Sequence, residues 1–179
     1  MSFYYYYYKN VLKREFLTRY VYENVYQLPK MKKIVLSLSF SQISLRGLLP
    51  LLSALTLISS QKPYLLNSSR PIVFLRLKSG LPIGCRVDLR GQQLFFFFEK
   101  LNFSVLPRLK DFSLGFRKNI LFLSIPSLSI FKEIEKDYEY FTDMPSLNIV
   151  FVFATSNRKR EIVDFLTAFR FPFKRCVKF

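Results

Sequence analysis

The stretch QKPYLLNSSRPIVFLRLKSGLPIGCRVDLRG, residues 61–91, decides the fold. Val73, Leu75 and Leu77 alternate with Phe74, Arg76 and Lys78, a turn follows at 79–82, and then Ile83, Cys85, Val87 and Leu89 alternate with Gly84, Arg86, Asp88 and Arg90. Alternation with a period of two is the signature of half-buried strands, so two strands joined by a short loop are predicted. Successive side chains of a strand point to opposite faces, so Arg76 and Lys78 share one face of the first strand and Arg86 and Arg90 one face of the second. If both apolar sets meet one core, the four cations share the outer surface, with Asp88 as the one acid among them.

Working outward, residues 32–40 (KKIVLSLSF) place Ile34, Leu36, Leu38 and Phe40 against Val35, Ser37 and Ser39, a further strand with one face open to a partner. Residues 48–59 read as a buried helix with Pro50 in its first turn. Beyond Gly91 the period changes: Leu94, Phe97, Phe98 and Leu101 fall at i, i+3, i+4 and i+7 of a helix. Pro107 opens a short element carrying Arg108 and Lys110. Residues 119–125 (NILFLSI) and 147–153 (LNIVFVF) are short and rich in Ile, Val and Phe, and are predicted to be buried strands. Between them, residues 131–143 hold five acids and two lysines, a helical acidic stretch. A last helix runs from about 158 to 169 with Ile162, Phe165, Leu166 and Phe169 as its core stripe. It opens on Arg158, Lys159 and Arg160, at the end where the helix dipole is already positive, which invites an anion. Residues 9–20 have helical character without a clean stripe. The expectation is an α+β protein, with residues 1–30 an N-terminal extension and first helix and residues 31–179 one domain.

Composition limits what such a domain can do. The 179 residues carry 28 Lys and Arg against 12 Asp and Glu, a net charge of +16, so a polyanion is the natural partner. A membrane-spanning helix needs roughly 20 apolar residues in a row, and the longest apolar stretch, residues 48–58, is interrupted by Pro50, Ser53 and Thr56. No membrane insertion is therefore expected. The start of the chain shows neither the pattern of a secretory signal nor the Arg- and Ser-rich character of a mitochondrial presequence. With two cysteines and no histidine, neither a zinc site nor the usual general base is expected, and no phosphate-cradling glycine loop is present. No catalytic residue, metal or cofactor is predicted. The runs Tyr4 to Tyr8 and Phe95 to Phe98 read as compositional bias of an AT-rich genome.

The phrases QKP (61–63) and GLPIGCRVDLRG (80–91) closely resemble the central signature of the large-subunit ribosomal protein five family. The resemblance continues in order through ENVYQLPKMKKIVLSL (23–38), ALTLISSQKP (54–63), VLPRLKDF (105–112) and LTAFRFPFKR (166–175). It implies an antiparallel sheet flanked by helices that binds 5S rRNA and a neighbouring arm of the large-subunit rRNA, beside other ribosomal proteins. It also implies a loop, here about 67–74 with Asn67, Ser68, Ser69 and Arg70, that reaches weakly towards the peptidyl-site tRNA. Residues 7–29 look especially like the mitochondrially encoded plant members, implying the mitochondrial matrix. By this resemblance the RNA-contacting residues are Ser37, Gln61, Lys62, Arg76, Lys78, Arg86, Asp88, Arg90, Arg108 and Lys110. Three departures stand out: Ser37 where the family usually has Asn, Asp88 where it has Thr, and a shortened glycine-rich segment at 113–119. Residues 61–118 hold eleven bases and three acids, the distributed cation pattern that an rRNA binder needs. Two other classes compatible with the charge are a basic peripheral membrane protein and an enzyme of RNA metabolism; the latter would need clustered carboxylates for metal.

Overall fold

In the computed structural model, residues 2–39, 45–71, 73–74, 77–109, 113–141, 144–154 and 159–172 are described. The chain forms helices α1 (Phe3–Tyr7), α2 (Lys13–Arg19), α3 (Leu45–Ser59), α4 (Gly91–Lys100), α5 (Lys132–Glu135) and α6 (Lys159–Ala168). The strands are β1 (Lys30–Ser39), β2 (Tyr64–Asn67), β3 (Pro82–Leu89), β4 (Ser113–Arg117), β5 (Ile120–Ile125) and β6 (Leu147–Ala154). The fold is α+β, an antiparallel sheet flanked by helices, with strand order β2-β3-β1-β6-β5-β4. The chain divides into two compact units, residues 1–34, 89–123 and 150–179 in the first and residues 35–88 and 124–149 in the second.

The first unit has an aromatic core. Tyr4, Tyr8 and Phe16 of the N-terminal helical segment are buried, as are Phe95, Phe98, Phe151, Phe165 and Phe169. Ring centroids lie 4.9 Å apart for Tyr4 and Phe169, 5.6 Å for Tyr8 and Phe95, and 5.9 Å for Phe98 and Phe151. Tyr8 and Phe95 stack, while the tilted Tyr4–Phe169 and edge-on Phe98–Phe151 pairs bring a positive ring edge towards the negative face of its neighbour. The tyrosine hydroxyls find partners: Tyr8 donates to the Pro29 carbonyl at 3.3 Å and Tyr4 to that of Phe169 at 3.2 Å. Burial pushes the Tyr8 hydroxyl up to about 12. The tyrosine run is thus core material at two of its positions, Tyr4 and Tyr8, one helical turn apart; Tyr6 is exposed. Codon bias alone does not account for it.

The second unit is built on β1, whose Val35, Leu36 and Leu38 are buried together with Leu51, Ala54, Leu55 and Ile58 of α3. Helix α3 begins at Leu45, earlier than its apolar run predicts, so Pro50 sits in the second turn rather than the first. There Pro50 removes one intrahelical hydrogen bond and crowds the carbonyl of residue 46, a cost that burial of Leu51, Ala54, Leu55 and Ile58 offsets. From β3, Cys85 and Val87 point into this core, and burial raises the Cys85 thiol to about 11. The acidic stretch is not one helix: α5 is a single turn, followed by a short 3₁₀ turn at Tyr138–Phe141. No described helix is long and apolar enough to cross a membrane.

Candidate nucleic-acid interface

The partner of β3 differs from the one that alternation predicts. β2, residues Tyr64–Asn67, pairs antiparallel with β3 in the register Tyr64↔Arg86, Leu65↔Cys85, Leu66↔Gly84 and Asn67↔Pro82. The register shifts between Leu66 and Asn67, where the opposing Pro82 has no N–H to extend the ladder. The hairpin is closed by Ser68 N–H to Leu81 O and Gly80 N–H to Ser68 O, both at 2.8 Å. Residues 69–79 therefore form the connection. Val73 and Phe74 lie in a turn at 90% and 95% exposure, Leu77 forms an isolated bridge, and Lys78 belongs to no strand. At Val73 and Phe74 the expected strand is a turn instead, because neither side chain has a core to enter. Arg76 lies outside the described residues. Of the other three cations expected on that face, Arg86 lies on β3, Arg90 directly follows it and Lys78 belongs to no strand.

On that face Arg86 Nε donates to Asp88 Oδ1 at 2.8 Å and Nη2 to Oδ2 at 3.5 Å, a two-pronged pair. Tyr64, opposite Arg86 in the register, donates its hydroxyl to Asp88 Oδ1 at 3.4 Å. Partial burial, then the Asp88 charge, raise the Tyr64 hydroxyl above its ordinary value. The Arg86 and Asp88 side chains are 32% and 21% exposed, so the pair is partly open to solvent. Such charge-assisted bonds fix geometry more than they add stability at a partly exposed site. The same face of β3 carries Gly84, where a Cβ would stand 2.2 Å from the Leu38 carbonyl oxygen. Only glycine allows the backbones to approach this closely, and the approach sets β3 against β1.

The remaining expected residues spread over both units. Ser37, on β1, is half-buried and donates to the Asn148 carbonyl at 3.4 Å. Gln61 is held at the end of α3: its N–H donates to Ser59 Oγ at 3.3 Å, and the same hydroxyl donates to Leu55 O at 2.6 Å. Ser60 between them takes a left-handed φ of 54°. Lys62, Asn67, Ser69, Arg70 and Lys78 are exposed. Ser68 is buried, its hydroxyl donating to Arg70 O at 2.6 Å, so it ties the base of the loop and is not available to a partner. In the first unit, Arg90 is exposed on extended backbone just ahead of α4, and Arg108 is exposed in the 3₁₀ turn Leu106–Arg108. Lys110 and Arg158 lie outside the described residues; Arg160, in the first turn of α6, is exposed. By direct contact, the structure joins Arg86 and Asp88 and adds Tyr64, which sequence reading passed over. Its signal was its place directly after QKP, masked by the shortness of a four-residue strand.

Among the described residues no group of three or more His, Cys, Asp or Glu is placed to hold a metal. A carboxylate-held cation on a strand face with an aromatic hydroxyl beside it, and exposed cations at other described positions, suit a phosphate backbone rather than bond-making chemistry.

Residues 82–173 match the model of the C-terminus of the ribosomal uL5 family. Over nearly its whole length the chain is similar to large ribosomal subunit protein uL5 of bacteria. It is 35% identical over 176 residues to that of Buchnera aphidicola subsp. Baizongia pistaciae, covering 94% of this chain and 96% of the relative. It is 33% identical over 193 residues to that of Wigglesworthia glossinidia brevipalpis, covering 98% and 100%. With that of Nitrosomonas eutropha it shares 32% over 174 residues, covering 93% and 96%.

Proposed function

The chain belongs to the uL5 family of structural, rRNA-binding ribosomal proteins, and from that premise we propose that it anchors 5S rRNA to the large subunit of a mitochondrial ribosome. The observation that carries the 5S reading is the polar face of β3. Arg86 is held there by Asp88, which also accepts from Tyr64, and its side chain stays about a third exposed, in a chain of net charge +16. Ser37, Gln61 and Lys62 in the same unit, and Arg90 and Arg108 in the other, are proposed as further contacts to 5S rRNA and adjacent large-subunit rRNA. Arg76, Lys78 and Lys110 are proposed on the sequence pattern alone. Phosphate contacts set position and a few polar groups set register, so Gln61, pinned at the helix end, is the proposed base- or sugar-reading residue.

The mitochondrial assignment rests on the resemblance of residues 7–29 to organelle-encoded members and on the tyrosine- and phenylalanine-rich composition. The tRNA assignment rests on the loop that β2 and β3 enclose, with Arg70 exposed and Asn67 and Ser69 beside it. Arg70→Ala should leave 5S rRNA binding nearly intact and reduce crosslinking to tRNA in assembled ribosomes. Loss of 5S rRNA binding with an unchanged tRNA crosslink would assign the loop to the anchor instead. The function as a whole is tested by purifying the ribosomal large-subunit fraction of the organelle and crosslinking. A 5S-like RNA joined to this protein supports the proposal, whereas the protein sedimenting away from large subunits refutes it.

A further inference from the structure

Within the first unit, a cavity of about 470 Å³ opens between the N-terminal helical segment and the segment that follows α4. That volume falls in the range of roughly 300–1,000 Å³ typical of small-ligand sites. Phe3 and Phe103 line it at 63% and 65% exposure, unusual for phenylalanines in a chain whose other rings are largely core. Phe3 and Tyr7 lie one helical turn apart as a stacked pair, ring planes 10° from parallel and centroids 6.2 Å apart, with Phe3 exposed at the cavity. Tyr4 lies buried beneath, 5.6 Å from Phe103.

Asn102 gives the cavity its polarity. Its amide nitrogen donates to the Phe169 carbonyl at 2.7 Å and to the Tyr4 hydroxyl at 2.6 Å. A backbone carbonyl can only accept, which fixes the amide orientation and leaves Oδ1 as the acceptor offered to a ligand. Arg170, exposed and also lining the cavity, adds a planar cation. No carboxylate is among the described residues that line the cavity, and nearby Glu99 accepts a bond from Ser2 Oγ at 2.6 Å.

We infer that this cavity holds an unpaired RNA base, stacked on the exposed rings of Phe3 and Phe103, with an exocyclic amine reaching Asn102 Oδ1 and the attached phosphate meeting Arg170. Flat aromatic surfaces, a lone acceptor and a guanidinium are what a nucleotide needs. A cationic peptide would meet Arg170 with no acid to pair with. The inference rests on the reading of the chain as an RNA binder but places a second, single-strand contact apart from the Arg86 face.

The test uses the full chain and a single-stranded RNA decamer carrying 2-aminopurine, whose fluorescence falls on stacking, with a 5S rRNA transcript as a separate arm. The expected result is saturable quenching that Phe103→Ala weakens about tenfold, in line with the loss of one base–aromatic stack. Phe103→Tyr should restore it, and neither change should affect binding of the 5S transcript. The Phe3 and Phe103 side chains are both exposed, so the variants should fold, which a thermal melt checks. Unchanged decamer affinity in Phe103→Ala and Phe3→Ala overturns the inference, as does a photocrosslink from Phe103 to a protein or to a second copy of the chain in assembled subunits. Decamer binding absent while the 5S transcript still binds sinks this inference alone, whereas loss of both in the wild type sinks the underlying RNA-binding reading.

Discussion

Asp88 illustrates how one residue can act in two opposite ways at an RNA surface. Its charge repels phosphate, yet it also holds the Arg86 guanidinium through bonds of 2.8 and 3.5 Å and accepts from Tyr64 at 3.4 Å. Asp88→Thr removes the repulsion and frees Arg86 for phosphate. 5S rRNA affinity should stay equal or tighten, with folding stability lowered by less than about 1 kcal/mol, as suits a partly exposed ion pair. A large loss of affinity on a filter-binding assay would mean that orientation outweighs repulsion. Gly84 makes a sharper case, because a Cβ there would stand 2.2 Å from a backbone oxygen that has no rotamer to move. Gly84→Ala should cost at least about 1–3 kcal/mol in urea denaturation, the usual range for overpacking. A stability change near zero would show that β1 and β3 can separate at no cost.

Among the elements, the N-terminal helical segment depends on a few polar ties. Asn102 bonds both the Tyr4 hydroxyl and the Phe169 carbonyl, joining α1, the turn after α4 and the end of α6 within one unit. Asn102→Ala removes both bonds, while Tyr4 still donates to the Phe169 carbonyl, and should lower stability by roughly 1–2 kcal/mol. Proteolysis should then cut first near the N-terminus; a variant as stable and as resistant as the wild type would contradict the role given to this amide. Elements with clear periodicity were legible from sequence: β1, β3, β5, β6, α4 and α6 lie where the apolar patterns put them. β2 was missed because Leu65 and Tyr64 are 46% and 45% exposed on an edge strand, so burial leaves no alternation to read. β4 was missed for a related reason: its glycine and alternate exposed positions look like the remnant of a loop. The pattern misled in the other direction at Val73 and Phe74, since alternation records only the possibility of a buried face. Of the candidate site, the positions of Arg86 and Asp88 on one strand face were legible, but their pairing with Tyr64 required the register.

For the molecule as a whole, charge is the dominant fact. A chain of +16 is destabilised by self-repulsion and relieved by a polyanion, which is consistent with a ribosomal protein that meets RNA. Family membership was legible from ordered motifs spread along the chain, since they carry turn and strand chemistry together. The similar relatives named above are bacterial, so the mitochondrial reading stands on residues 7–29 and the composition alone. If the chain anchors 5S rRNA by neutralising phosphates, each contact releases condensed counterions, and affinity must then fall with salt. The most direct measurement is the affinity of the full chain for a 5S rRNA transcript, titrated from about 50 to 200 mM salt, against an unrelated RNA of equal length. The account predicts a preference for the 5S transcript and a linear fall of log K with log salt, with a slope of roughly −0.7 to −0.9 for each phosphate contacted. An affinity that stays flat across the titration, or no preference for the 5S transcript, would contradict it.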